Sequence, residues 1–131
     1  MPFTLTYDRG QNVLLVSFGE TLTRETHQAM VASVRAFAAC HGPAHAIVDF
    51  GAVRNFTLDA DYIRNFARAQ SVLAGYKRVM VAPTDEIFGM MRLFAVHQSS
   101  TGDAAFVVRT RAEAFDHLGL VAPDFRPVAE A

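Results

Sequence analysis

Three short apolar runs, at residues 46–50, 78–82 and 106–109, are separated by segments whose apolar residues recur at helical spacing. That alternation limits the folds open to this chain more than any other feature. A run with no polar residue on alternate positions suits a strand covered on both faces. Strands that alternate with amphipathic helices call for a largely parallel sheet with right-handed crossovers. Ahead of these units, residues 3–7 alternate apolar and hydroxyl side chains and residues 13–18 are apolar again. Between them lies Asp8-Arg9-Gly10-Gln11-Asn12, turn chemistry in which Gly10 is able to take positive φ at no steric cost. These two runs read as a hairpin.

The helical segments carry their own punctuation. Thr21 or Thr23 can cap a first helix whose buried stripe is His27, Met30, Val34 and Phe37, stopped by His41-Gly42-Pro43. Thr57 or Asp59 can cap a second, with Tyr62, Ile63, Phe66, Ala69 and Leu73 inward and Gly75 as its terminating glycine. A third opens at Thr84-Asp85-Glu86, with Ile87, Met91, Phe94 and Val96 expected inward. A fourth opens on the capping box Thr110-Arg111-Ala112-Glu113, anchored by Phe115 and Leu118. The expected order is β-β-α-β-α-β-α-β-α, one α/β domain over residues 1–122 with a tail, 123–131, that frays or drapes over the surface.

Composition narrows the partners. With 131 residues, 51% apolar, eleven Phe and 19% charged, the chain has enough apolar surface to hold a core without metal or disulfide. A net charge of −1 gives no basic face for nucleic acid. The longest window without Asp, Glu, Lys or Arg is 13 residues, 36–48, and contains Gly42 and Pro43, so membrane insertion is not expected. The start lacks a basic segment followed by an apolar one, and a cytoplasmic location is the expectation. Cys40 is the single cysteine, and the histidines His27, His41, His45, His97 and His117 complete no ligand set, so no metal or other cofactor is expected.

Three stretches carry a family resemblance. Residues 47–53 (IVDFGAV), 79–94 (VMVAPTDEIFGMMRLF) and 105–115 (AFVVRTRAEAF) resemble segments of STAS domains, the anti-sigma-factor-antagonist or SpoIIAA-like family, and of small bacterial proteins of that kind. The resemblance implies a mixed sheet of about five strands with helices mainly on one face, in a bacterial regulatory protein that binds another protein and is non-enzymatic. The family's regulatory branch switches partners through a phosphorylated Ser or Thr at the start of the second helix. The matching turn here, residues 55–60, lacks the serine pair and glycine of that branch and offers only Thr57.

Asp49, Thr57 and Asp59 are therefore the candidates for partner binding or switching. Asp49 ends an interior strand, at the edge where α/β sheets place ligands, or else simply accepts backbone N–H groups from the loop after it. Thr57 is a modification site or an ordinary cap. Relatives of the fold also hold apolar ligands, and Phe88, Gly89, Met90 and Arg92 are the candidates for such a pocket. Gly89 would admit close approach within a helix, and Arg92 would clamp an anion or pair with Asp85. A Met-rich set, Met80, Met90 and Met91 with Phe88 and Phe94, lines that pocket or is plain core. A regulatory partner and a homodimer are the interactions expected.

Overall fold

The computed structural model describes residues 2–69, 71–99 and 104–128. A hairpin opens the chain: β1 (Phe3–Asp8) runs antiparallel to β2 (Val13–Phe18), with Phe3 opposite Phe18 and Asp8 opposite Val13. The left-handed residue of its turn is Asn12, at φ 57°, and not Gly10. Asparagine tolerates that region because its short polar side chain bonds locally, here accepting from the Tyr7 hydroxyl at 2.6 Å.

Three parallel strands extend the sheet. β4 (His45–Asp49) pairs with β2, β6 (Arg78–Val81) with β4, and β7 (Phe106–Val108) with β6. The last apolar run therefore forms an edge strand, and Phe106 is exposed. At the opposite edge β8 (Arg126–Pro127) pairs antiparallel with β1. The sheet thus has six strands, in the order β7-β6-β4-β2-β1-β8, where five were expected. The sixth comes from the tail. Gln11 exchanges hydrogen bonds with Val121 in both directions, and the buried Asp8 carboxylate accepts from the backbone N–H groups of Gln11 and Asp124. Those bonds hold Asp8 below the usual carboxylate range. A second small pairing joins β3 (Thr21–Leu22) to β5 (Asn55–Phe56).

Helix α1 (Arg24–His41) is capped by Thr23 and buries His27, Met30, Val34 and Phe37, the stripe its spacing indicates. Helix α2 (Ala60–Arg68) is shorter than its pattern. Ala69 is already extended, and residues 71–76 turn back with the Ser71 hydroxyl accepting from Leu73 N, a local bond that competes with helix. Leu73 is still buried, but by a turn, and Gly75, at φ 85°, belongs to that turn and ends no helix. Helix α3 (Asp85–Gln98) buries Ile87, Met91, Phe94 and Gln98. Val96, two residues off that stripe, points outward at 63% exposure. Gln98 takes the inward place, its side-chain oxygen accepting from Ala105 N at 2.9 Å. Helix α4 (Arg111–Leu118) is capped by Thr110, and Glu113 reaches back to the N–H of Arg109.

Strand alternation sorts the core into two layers. Leu14, Val16, Phe18 and Ala46 pack with residues of α1, α2 and α3 on one face of the sheet. Val13, Leu15, Ile47, Val79, Val81 and Val108 pack with Ala114 of α4 on the other. Three helices on one face and one on the opposite face is the arrangement. No helix among the described residues is long and apolar enough to cross a membrane.

Candidate functional site

The face under α1, α2 and α3 is not filled. A cavity of about 160 Å³ lies between these helices and the sheet. Its floor comes from alternate residues of the central strands, Val16 of β2, Ala46 and Val48 of β4, and Met80 of β6. The helices supply Met30 and Val34 from α1, Ile63 and Phe66 from α2, and Met91 and Phe94 from α3. Beyond the end of α2 at Arg68, Val72 and Leu73 line the cavity from a turn.

Polar groups sit at the rim. His27 is buried and its Nδ1 lies 2.8 Å from the Tyr62 hydroxyl, with the imidazole edge-on to Tyr62 and Phe66. Desolvation lowers its pKa to about 4, so the ring is neutral at pH 7. Burial likewise pushes the Tyr62 hydroxyl up, and the pair shares one neutral hydrogen bond. Two arginines also line the cavity, Arg35 from α1 and Arg78 from the start of β6. Outside, an open cleft between α1 and α2 shares His27, Val31, Arg35, Tyr62 and Phe66 with the cavity, so those five side chains form the wall between them.

The residues singled out from sequence fall elsewhere. Phe88, Gly89, Met90 and Arg92 do not line this cavity. Gly89 is exposed, and a Cβ there would meet nothing within 4 Å, so no close approach explains it. Arg92 does not pair with Asp85. The Asp85 carboxylate instead accepts from Arg109 Nη1 at 2.8 Å, and that guanidinium lies 4.0 Å from the centre of the Phe88 ring. Of the methionine set, Met80 and Met91 reach the cavity with Phe94, and Met90 does not.

Asp49 is buried and accepts from Gly51 N at 2.7 Å and from Arg111 Nε. A Cβ at Gly51 would lie 2.9 Å from the same carboxylate oxygen, so this turn needs glycine. Arg111, unmarked in the sequence, also donates to the Ser17 hydroxyl, which ties α4 to the ends of β2 and β4. No local signal pairs residues 62 positions apart. Asp59 is the cap of α2, accepting from Tyr62 N at 2.8 Å and from Arg24 at 2.6 Å, contacts that lower its pKa. Thr57 is exposed and caps nothing: its hydroxyl donates to Leu22 O at 2.9 Å. Asp59 and Thr57 therefore share the loop before α2, while Asp49 is held within the join between α4 and the sheet. His45 accepts from Lys77 N, His41 stacks on Phe37, and Cys40 is exposed.

No family model matches the sequence, and no curated protein matches it either.

Proposed function

We propose that this chain is a non-enzymatic binding module that encloses a small, mostly apolar molecule between its sheet and helices α1–α3. The observation that supports this reading is the cavity. Interiors are packed to crystal-like density, and a void of this size, walled by Val, Ile, Leu, Phe and Met, forfeits dispersion contacts that a ligand would restore. A cavity of roughly 150 Å³ in another protein stays dry when empty and takes benzene, which sets the scale of the occupant. Melting the protein with and without 1-hexanol tests the reading. The alcohol is expected to raise the melting temperature of the wild type, as any ligand of the folded state must. Equal melting temperatures for the wild type with and without the alcohol would defeat it.

A second reading rests on the resemblance to SpoIIAA-like domains. In it the chain is a bacterial cytoplasmic regulatory module that docks on a partner protein or on a second copy of itself. The exposed Thr57, two residues ahead of the Asp59 cap, favours this reading, since a phosphate there would approach the free N–H groups of α2. Recovery of partners from cell extract by Thr57→Ala and Thr57→Glu tests the switch. Different partner sets support it, and identical sets at equal strength remove it.

A further inference from the structure

The walls of the cavity are apolar, yet the charged groups among its described lining residues are all of one sign. Arg35 and Arg78 are present, and no Asp or Glu is. We infer that the preferred ligand is a monoanionic organic acid with an apolar body of roughly six carbons, its body in the cavity and its anionic head at Arg35. This inference rests on the cavity being a binding site, as proposed above, and adds the chemical class of what enters it.

Arg35 is the group placed to do this. It belongs both to the inner cavity and to the outer cleft, and it is itself exposed, so its side chain borders the apolar lining and water alike. That position matters because a carboxylate drawn fully into the cavity would lose hydration at heavy cost, whereas at the rim it keeps part of its water and gains a bidentate donor. The other charges of the cleft are matched already. Arg24 holds Asp59 at 2.6 Å, and Asp61 accepts from Arg64 at 2.9 Å. Arg35 has no hydrogen-bond or ion-pair partner among the described residues, and the residues three and four positions away on α1 are Val31, Ala32, Ala38 and Ala39, none of which could supply one. Arg78 has a partner of its own and is buried, away from the water that would keep an anionic head partly hydrated, so Arg35 is the better placed anchor. In the same wall the His27–Tyr62 pair is neutral and already hydrogen-bonded, which leaves it no charge with which to compete for the head.

Calorimetric titration of the whole chain with hexanoate and with 1-hexanol, ligands that share an apolar body and differ in charge, tests the assignment. Hexanoate is expected to bind about tenfold more tightly than 1-hexanol, in line with a charge-assisted bond. Arg35→Gln is expected to bring the ratio of the two affinities to about one, and the exposed side chain contributes little to folding. Hexanoate no tighter than 1-hexanol in the wild type, or a preference that survives in Arg35→Gln, overturns the anionic head and leaves the apolar site standing. Failure of both ligands to bind overturns the site as well.

Discussion

The two faces of the sheet are built from the same strands, residue by residue in alternation, and they pack to different ends. Under α4, Val13, Leu15, Ile47, Val79, Val81 and Val108 meet Ala114 and Phe115 and are at most 6% exposed. Five of those six strand positions are β-branched, rigid at χ1, and one helix with a small residue at its centre settles closely onto them. On the other face the strands offer Val16, Ala46, Val48 and Met80 to three helices that must also pack against one another. Between those helices and the strands a space of about 160 Å³ stays open. The comparison teaches that apolar content alone does not fill a core: the shapes of the side chains on the two packed layers must also match.

Mutation separates the faces most sharply at Ile47. Ile47→Ala removes buried volume from the filled face and is expected to cost about 2–5 kcal/mol in urea unfolding. A loss well below that range would mean that face is no better packed than the other.

Acid acts on the open face. The unfolded chain takes up a proton at His27 below its ordinary pKa of 6.5, while the folded chain refuses it until about 4. Stability therefore falls as pH drops through that window, by roughly 3 kcal/mol at pH 4. His27→Phe is expected to flatten the profile between those two values. Asp8 and Asp59 run the other way in origin, since their lowered values add stability that is present above 3.8 and is lost only as pH falls further. A wild-type profile that is flat from pH 6.5 to 4 would mean His27 is not shielded from water.

The join between the faces is weaker. Asp49→Ala strips the acceptor from Arg111 and from Gly51 N, and a loss of about 1–3 kcal/mol is expected by denaturant titration. A pair of added methylenes is the most telling about packing: Val79→Ile overpacks the filled face and costs about 1–3 kcal/mol. The same addition by Val48→Ile enters the cavity and stabilises by up to about 1 kcal/mol. Equal costs for the two would erase the distinction.

Much of this architecture is legible in the residues. The hairpin at residues 3–18, the three parallel strands and the stripe His27, Met30, Val34 and Phe37 follow from periodicity, because burial imposes it. The caps Thr84 and Thr110 follow from hydrogen-bonding chemistry within three residues, and the same chemistry narrows the other two to pairs, Thr21 or Thr23 and Thr57 or Asp59, of which Thr23 and Asp59 are the caps. What periodicity cannot carry is distance along the chain. The return of Arg126 and Pro127 to β1, and the bond of Arg111 to Asp49, join segments far apart in sequence. The face chosen by α4 is likewise absent from its own pattern, since Ala114, Phe115 and Leu118 would suit either side. A cavity is the least legible feature of all. It is the space left among side chains, and Phe88, Gly89, Met90 and Arg92, chosen for their chemistry, lie outside it.

Methionine methyl resonances report on the cavity most directly. Met30, Met80 and Met91 face it and Met90 does not. Titration of methyl-labelled protein with 1-hexanol is expected to shift the first three signals in a saturable way and to leave that of Met90 in place. If those three stay fixed at saturating alcohol, or if Met90 moves with them, the space between the sheet and helices α1–α3 is not a binding site.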